Sequence, residues 1–254
     1  MSHLDGKVAL VTGSSRGIGQ AIARRLALDG ADVVVHGRNP KGPTAAGAEA
    51  FRDELRGLGR KAEVRFADLT DKAAVGALMG EVEAAFGRLD VLVLNAARAP
   101  FKETTRLLER DLRQLVETNL MAPVFCVQKA LPLLEVQGGD VVFISSLGSR
   151  YMNPQYPLGP MKAAMESMTR QWAEELGPKG IRANAVCAGL VKTDAYKTLR
   201  RLWTGLDQLP EELFVTPEEV AGVVSFLTRA DASAVRGQTI VADRGLSNRI
   251  LRGT

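Results

Sequence analysis

Tyr156 and Lys162 lie six residues apart in the stretch YPLGPMK, and together they could stabilise a negative charge or transfer a proton. A phenol can donate a hydrogen bond to a developing oxyanion, and a nearby ammonium group makes it a better donor. On a regular helix, residues six apart lie about 120° apart around the axis, whereas residues four apart lie about 40° apart. The residue four positions before Lys162 is Leu158, which has no proton to give. The spacing therefore predicts that Tyr156 acts from a loop rather than from the helix of Lys162.

Two prolines indicate where this segment becomes helical. Pro160 suits a first helical turn, and apolar residues then follow at helical spacing until a Gly-Pro pair ends the run. Pro157 and Pro160 favour extended backbone for Tyr156 and Gly159. We therefore expect a helix that begins close to Pro160, with Lys162 near its start and Tyr156 in the loop before it.

A glycine-rich turn near the start of the chain predicts a dinucleotide site. The run TGSSRGIG at residues 12–19 follows a strand-like segment and precedes a helical pattern. A turn this tight needs residues without a Cβ atom, and the N-terminus of the following helix attracts a pyrophosphate. The residues expected at the cofactor are Gly13, Ser15, Arg16, Gly17, Ile18 and Gly19.

The charge at the end of the second predicted strand favours NADPH over NADH. This strand ends in His36, Gly37, Arg38 and Asn39, with no acidic residue. An acid there would bind the adenosine ribose but repel a 2′-phosphate. The guanidinium groups of Arg38 and Arg16 would instead bind that phosphate if they converge on the ribose, with Asn39 beside them. A merely solvated Arg38 is the alternative.

Short runs rich in Val, Ile and Leu alternate with amphipathic helical segments along the chain. The strand-like runs are residues 8–11, 32–35, 63–66, 89–94, 140–144, 183–186 and 239–241. Helical periodicity covers residues 18–28, 44–58, 72–86 and 108–134. This alternation predicts an α/β fold of Rossmann type: a doubly wound parallel sheet of about seven strands with helices on both faces, in a single domain over residues 1–254.

Composition argues against several classes of partner. The 33 Lys and Arg are interleaved with 29 Asp and Glu, and the net charge of +4 suits an anionic small molecule better than nucleic acid. The N-terminus is polar, and no apolar run approaches the roughly 18 residues of a membrane span, so we expect no membrane partner. Cys126 and Cys187 lack metal-ligand spacing, which predicts no metal site and a reduced, cytoplasmic location.

The order and spacing of these residues resemble the short-chain dehydrogenase/reductase family over nearly the whole chain. The resemblance is carried by the glycines at 13, 17 and 19, Asp68-Leu69, Asn95-Ala96-Ala97, Asn119, Ser145-Ser146, Lys162, Ala188-Gly189 and Thr193. It implies that Asp68 and Leu69 flank the adenine and that Asn95 lines the cofactor cleft.

The same resemblance implies roles near the nicotinamide. Lys162 would hold the nicotinamide ribose, and the backbone near Gly189 and the Thr193 hydroxyl would bind the nicotinamide side. Ser146 would assist catalysis. Asn119 would kink a helix and organise water behind the lysine. The family also commonly forms homotetramers, so we expect one here.

A second set of residues is similar to the enoyl-thioester reductases of this family, notably the enoyl-acyl carrier protein reductases. The set comprises ISSLGS at 144–149, Tyr156, Lys162 and Thr169-Arg170. Those enzymes carry six residues between tyrosine and lysine, whereas this chain carries five. Reduction of a conjugated C=C bond places negative charge on a thioester oxygen away from the nicotinamide, so the donor must move outward. The resemblance implies NADPH-dependent reduction of an enoyl thioester linked to acyl carrier protein or coenzyme A.

Other interpretations remain open. Tyr151 or Ser146 could donate to the substrate oxygen instead of Tyr156. The protein could also be a carbonyl reductase of 3-oxoacyl or polyketide type with a rearranged site. Leu158, at the usual position of the acid, favours a third possibility, a catalytically silent NADP-binding protein.

Residues 194–214 have the pattern of a helical lid over an apolar acyl group. Tyr196 is expected to line the pocket. Arg200 and Arg201 could meet phosphates of coenzyme A or of a carrier-protein arm, although a solvated helix face explains them more simply. Acyl carrier protein is therefore a possible partner.

Overall fold

A central parallel sheet organises the chain in the computed structural model, which describes residues 2–151, 154–203 and 205–249. Its strands are β1 Val8–Val11, β2 Asp32–Gly37, β3 Ala62–Phe66, β4 Val91–Leu94, β5 Gly139–Ser146, β6 Ile181–Ala188 and β7 Thr239–Ala242. They lie in the order β3-β2-β1-β4-β5-β6-β7, and every neighbouring pair is parallel. The strand order reverses between β1 and β4, so a crevice opens beyond the carboxyl ends of these two strands.

Helices cover both faces of the sheet. They are α1 Gly17–Leu28, α2 Ala45–Gly57, α3 Lys72–Phe86, α4 Glu109–Val116, α5 Ala122–Leu134, α6 Leu158–Leu176, α7 Asp194–Leu202, α8 Pro217–Leu227 and α9 Leu246–Arg249. Side chains of β1 alternate between two buried clusters: Ala9 and Val11 join residues of α1, α2 and α8, while Val8 and Leu10 join residues of α3, α5 and α6. A strand that is buried on both faces in this way has a continuous run of apolar residues in its sequence.

The predicted fold class is confirmed, and the predicted strands lie within a few residues of the observed ones. The main extensions are in β5 and β6, which continue to Ser146 and Ala188. Both extensions carry the chain to the edge of the sheet where the cofactor residues are expected.

The helix predicted over residues 108–134 is interrupted by a π-helical turn. A π-helical turn, Glu117–Met121, joins α4 to α5 and includes Asn119. The Asn119 side-chain amide donates to the Leu115 carbonyl, a group that the helix would otherwise use for its own backbone hydrogen bonding. Insertion of a side chain into the backbone ladder is a recognised cause of such turns.

The expected start of α6 is wrong by about half a turn. The helix begins at Leu158, so Gly159 is helical rather than extended. The clash that disfavours helix before a proline involves a Cβ atom, which Gly159 lacks. Pro160 is accommodated because a first-turn residue needs no intrahelical N–H partner. Tyr156 still lies outside the helix, as predicted.

Candidate active site

The glycine-rich turn leads directly from β1 into α1. The φ angles of Gly13 and Gly17 are +66° and +59°, values that residues other than glycine rarely adopt. A Cβ atom on Gly19 would lie 2.5 Å from the Asn95 amide nitrogen and 2.6 Å from the Gly13 carbonyl oxygen. Ser15 lies in the same turn, and Ile18 lies in the first turn of α1. The first-turn N–H groups of α1 therefore face the crevice, where a pyrophosphate would bind.

Thr12 and Asn95 hold this turn to the neighbouring strand. The Thr12 hydroxyl donates to the Val93 carbonyl and accepts from the backbone N–H groups of Asn95 and Ala96. The Asn95 amide donates to the carbonyls of Thr12 and Gly13 at 2.9 and 3.2 Å. Asn95 thus lies at the cofactor crevice, and its amide supports the glycine turn.

His36 supports the turn from the other side. Its ring accepts a hydrogen bond from the Gly13 N–H at Nδ1, so Nε2 carries the proton and donates to the Ala67 carbonyl at 3.1 Å. Burial lowers the pKa of His36 to about 4, which keeps the ring neutral and able to accept. His36 therefore links the glycine turn to β2 and to the end of β3.

Arg38 and Asp68, the residues predicted to lie at the adenosine of the cofactor, contact each other. Two guanidinium nitrogens of Arg38 contact one Asp68 oxygen at 3.0 and 2.7 Å, while Thr70 donates to the other oxygen. Burial alone would raise the pKa of Asp68, but the hydrogen bonds from Thr70 and Arg38 lower it. Arg16 pairs with a different carboxylate, Asp194, so the predicted convergence of the two guanidinium groups is not seen in this arrangement.

Asn39 and Leu69 are also predicted to lie at the adenosine. The exposed Asn39 closes a tight turn by accepting from the Lys41 N–H, and Leu69 is buried beside Thr12 and Leu94. Their predicted contacts with the cofactor remain predictions.

Lys162 is buried one turn into α6. Its Nζ donates to the Ile144 carbonyl at 2.6 Å and lies 4.6 Å from the centre of the Phe143 ring. Burial lowers the pKa of the Lys162 ammonium to about 8. An ammonium group has three donors, and the described residues accept one hydrogen bond from Lys162, so two donors could serve other partners, such as the ribose hydroxyls of a bound dinucleotide. The chemistry of Lys162 thus fits the predicted cofactor.

Tyr156 reaches the end of β5 although it precedes α6. Its hydroxyl oxygen lies 3.3 Å from the Ser146 hydroxyl oxygen, so the structure brings these two predicted residues together. The Tyr156 ring packs on Gly148, where a Cβ atom would lie only 2.5 Å from the ring. Leu158, which starts α6, is buried. The phenol therefore stands two residues before the position that a Tyr-x-x-x-Lys spacing would use.

The pKa of Tyr156 is raised. Burial is the largest cause; the hydrogen bond with Ser146 opposes this rise, and Cys187 adds to it. Tyr156 is consequently a neutral hydrogen-bond donor at neutral pH. The expected effect of the Lys162 ammonium on the phenol remains a prediction.

Aromatic side chains enclose Tyr156. Phe101, in the loop after β4, stacks on its ring with centroids 6.1 Å apart, and Trp203, after α7, meets the ring edge-on at 5.9 Å. The Trp203 Nε1 atom is buried and has no hydrogen-bond partner among the described residues. The other candidate phenol, Tyr151, donates its backbone N–H to the Leu147 carbonyl.

Asn119 is buried in the π-helical turn. Its side chain donates to the carbonyls of Arg98 and Leu115 and accepts from the Arg98 N–H. These contacts fix the loop after β4, which also carries Phe101. The predicted role of Asn119 in organising water behind Lys162 remains a prediction.

Gly189 and Thr193 follow β6 at the same edge of the sheet. A Cβ atom on Gly189 would lie 2.8 Å from the Asp243 backbone, so only glycine fits there without displacement. Thr193 precedes α7, and its methyl group would lie 3.7 Å from a Cβ atom on Gly17. The predicted lid therefore begins beside the glycine turn.

The predicted lid over residues 194–214 contains α7 and two short 3-10 turns, and Thr204 lies outside the described residues. Tyr196 packs edge-on against Phe214 at 5.4 Å, while Arg16 and Asp194 form an exposed ion pair at 3.7 Å. The first contact lies within residues 194–214, and the second joins this segment to the glycine turn. The opening and closing of this segment remain predictions.

Several contacts of the site escaped the sequence analysis. They are made by Thr12, His36, Phe101, Ser145, Ser149 and Glu166. Thr12, Ser145 and Ser149 lie within the quoted motifs, so motif membership was a usable signal for them, although no role was predicted for any of the three. Glu166 carried no such signal, because a glutamate within an amphipathic helix usually faces solvent.

No helix in the part of the chain that the structure describes combines the length and apolar character needed to cross a membrane. Among the same residues, no group of three His, Cys, Asp or Glu side chains is placed to hold a metal ion. The predicted cytoplasmic location, carrier-protein partner and homotetramer remain predictions.

Comparison with known proteins gives a match over most of the chain. A family model described as Enoyl-(Acyl carrier protein) reductase matches residues 13–247. A 1-cyclohexenylcarbonyl-CoA reductase from Streptomyces collinus is 37% identical over 95% of this chain and 87% of its own length. A 3-oxoacyl-[acyl-carrier-protein] reductase from Thermotoga maritima is 33% identical over 96% of this chain and 99% of its own length.

A solved structure agrees with the fold. A short chain dehydrogenase from Burkholderia cenocepacia in complex with NADP superposes with a TM-score of 0.86 at 33% sequence identity. The alignment covers 95% of this chain and 98% of that one.

Proposed function

Because the chain belongs to the short-chain dehydrogenase/reductase family of NAD(P)-dependent oxidoreductases, we propose that it reduces the C=C bond of an enoyl thioester with NADPH. The observation that carries the proposal is the position of the phenol. Tyr156 lies outside α6 yet contacts Ser146, while Leu158 occupies the position one turn before Lys162. A donor set back from the usual position suits an oxygen that is remote from the carbon receiving hydride.

NADPH, when bound, supplies the hydride that adds to the β-carbon of the substrate. The Tyr156 hydroxyl then donates a hydrogen bond to the thioester oxygen, on which the negative charge of the enolate develops. Ser146, 3.3 Å from Tyr156, orients this donor. A proton from solvent water, added at the α-carbon, completes the conversion of the double bond to a single bond.

Lys162 serves binding rather than proton transfer in this scheme. Its buried ammonium is anchored to the Ile144 carbonyl and keeps two donors for the ribose. We propose that its charge also favours the anionic form of the substrate. Both functions need the protonated form, which predominates below a pH of about 8.

The aromatic residues around Tyr156 support an apolar acyl group. Phe101 and Trp203 contact the phenol ring with their aromatic rings, and the buried Trp203 N–H can donate to a polar atom of the substrate. Linkage of the acyl group to coenzyme A is supported by the Streptomyces collinus relative, whose name specifies a CoA thioester. An acyl carrier protein linkage is supported by the family description.

Carbonyl reduction is a second candidate. The Tyr156–Ser146 contact would also suit donation to a ketone oxygen, and the Thermotoga maritima relative is a 3-oxoacyl reductase by name. The displaced phenol argues against it, because a ketone oxygen is bonded to the carbon that receives hydride. A catalytically silent NADP-binding protein is the third possibility.

A substrate panel separates these candidates. Purified protein is mixed with NADPH and either a linear 2-enoyl-CoA, a cyclic enoyl-CoA or the matching 3-oxoacyl-CoA, and the products are identified by mass spectrometry. We expect reduction of the enoyl thioesters at a rate on the order of tenfold or more above that of the 3-oxoacyl compound. Preferential reduction of the 3-oxoacyl thioester would establish the second candidate. Tight NADPH binding without any turnover would establish the third.

A further inference from the structure

A buried carboxylate lies beside the reaction centre and has no part in the scheme above. Glu166 is on α6, one turn after Lys162, and its exposed fraction is 7%. Burial of a carboxylate is unfavourable unless hydrogen bonds or opposite charges compensate. The contacts of Glu166 show what compensates here.

Two serine hydroxyls donate to the same oxygen of Glu166. The Ser145 hydroxyl lies 2.5 Å and the Ser149 hydroxyl 2.6 Å from Oε1, while the Arg150 guanidinium lies 3.8 Å from Oε2. Ser145 is in β5, and Ser149 ends the short 3-10 turn Leu147–Ser149. One carboxylate oxygen on α6 therefore holds both ends of the segment 145–149.

The held segment carries the contacts of the proposed donor. Ser146 lies within it and meets the Tyr156 hydroxyl at 3.3 Å. Gly148 supports the Tyr156 ring, and the Gly148 carbonyl packs so closely on Gly159 that a Cβ atom there would lie at 2.3 Å. A shift of the segment relative to α6 would therefore displace both Ser146 and the phenol.

The negative charge of Glu166 also acts on Lys162. The two residues are four apart on one helix and both are buried, so their side chains are neighbours. Burial is the largest cause that lowers the pKa of Lys162, and Cys187 and Glu166 both oppose it. Loss of the Glu166 charge would let this pKa fall further.

Other titratable groups surround this cluster. Cys187 on β6 has its pKa raised to about 11 by burial, so it remains a neutral thiol at neutral pH. Arg150 follows the 3-10 turn, and Asp243 follows β7. Tyr156 is also neutral, since burial raises its pKa. Glu166 is thus the anionic group of α6 that faces Lys162.

We infer that Glu166 is a positioning residue: its carboxylate holds the segment 145–149 against α6 for Ser146 and Tyr156, and its charge faces the Lys162 ammonium. The inference rests on the proposed roles of Tyr156 and Lys162, but it does not depend on which double bond is reduced. Removal of the charge and removal of the serine contacts have separable consequences.

The test measures NADPH affinity as a function of pH by tryptophan fluorescence, together with turnover of whichever thioester the wild type reduces. Wild-type affinity should fall as pH rises through about 8, because the ammonium that binds the ribose is lost. In Glu166→Gln, this fall should move to lower pH by about half a unit or more. Turnover should also drop.

Three variants complete the test. Ser145→Ala and Ser149→Ala keep the charge, so each should lower turnover while leaving the pH of the affinity loss at the wild-type value. Glu174→Gln removes an exposed carboxylate from the same helix and should change neither property. Circular dichroism checks that each variant is folded.

Two results would overturn the inference. The first is a folded Glu166→Gln protein with wild-type turnover and a wild-type pH profile. The second is a Ser149→Ala protein whose affinity loss shifts as far as that of Glu166→Gln, since the effect would then come from packing rather than charge. A wild-type protein that reduces no thioester would instead refute the proposed function, while the NADPH-affinity profiles would still test the charge on Lys162.

Discussion

Tyr156 enters the site as a neutral phenol held between aromatic rings. Burial raises its pKa, so it can donate a hydrogen bond over the whole neutral range without an ionised partner. That state suits stabilisation of an enolate, which needs a donor at the oxygen throughout the reaction. The sequence predicted the residue and its loop position, and the predicted effect of Lys162 on the phenol remains a prediction.

Substitution of Arg38 tests directly whether the protein prefers NADPH to NADH. Its ion pair with Asp68 leaves 56% of the Arg38 side chain exposed, so the pair is a weak one that a 2′-phosphate can replace. We predict that Arg38→Ala weakens NADPH binding by about 10-fold to 100-fold and leaves NADH binding nearly unchanged, because a charge-assisted hydrogen bond contributes about 1.5–3 kcal/mol. Calorimetric titration with both cofactors measures the ratio.

The matched control for this prediction is Arg113→Ala, which removes another exposed arginine that pairs with a carboxylate, Glu109 in α4. This variant should bind both cofactors as the wild type does. An unchanged preference between NADPH and NADH in Arg38→Ala would assign the 2′-phosphate to other residues.

Sequence patterns could not predict the individual side-chain contacts of the site. Glu166 meets Ser145 and Ser149 across about twenty residues of chain, and the pattern around it is that of an ordinary amphipathic helix. His36 was read as one of several residues ending a strand. Both contacts arise only when separate elements pack together, so no local spacing encodes them.

The residue at which α6 begins determines which side chain lies one helical turn before Lys162. Because the helix begins at Leu158, this side chain and Lys162 are four residues apart and point to nearly the same side. The fold therefore places Leu158 where a Tyr-x-x-x-Lys spacing would place its tyrosine. An element-scale prediction follows from this geometry.

We predict that Leu158→Tyr gains reduction of a 3-oxoacyl thioester by about tenfold or more over the wild type, since a positioned general acid contributes roughly 10²–10⁴-fold. Leu158→Phe is the control, because it has the same ring without the hydroxyl. Rates with NADPH and product analysis compare the two variants. Equal ketone reduction by folded Leu158→Tyr and Leu158→Phe would contradict this account of α6.

The helix boundaries illustrate how far periodicity reaches. Periodicity located α6 and its C-terminal end but placed the start near Pro160. The restriction on residues before proline involves the backbone N–H and the Cβ atom, and Gly159 lacks the second of these. Likewise, periodicity predicted a single helix over residues 108–134. It did not predict the π-helical turn at Asn119, which depends on a hydrogen bond from the Asn119 side chain to a backbone carbonyl of the helix. Local chemistry refines boundaries that periodicity leaves approximate.

At the scale of the whole molecule, the parallel sheet brings distant segments to one edge. The glycine turn follows β1, Asn95 follows β4, Ser146 ends β5 and Gly189 follows β6. The alternation of strands and helices predicted this type of sheet, since parallel strands need helical crossovers. The strand order was not predicted from periodicity, because alternation alone does not say which strands are neighbours.

The account depends on one arrangement of the whole chain: the sheet edge, the start of α6 and the lid together place the Tyr156 hydroxyl where a thioester oxygen would lie. The most direct measurement is the single-turnover rate of NADPH oxidation with an enoyl thioester for wild type, Tyr156→Phe and Tyr151→Phe. We predict that Tyr156→Phe lowers this rate by about 10²–10³-fold, as loss of an oxyanion donor does, while NADPH binding is retained. Tyr151→Phe should stay within about threefold of wild type, because Tyr156 would still supply the donor. Full activity in Tyr156→Phe, or a loss confined to Tyr151→Phe, would contradict the assignment.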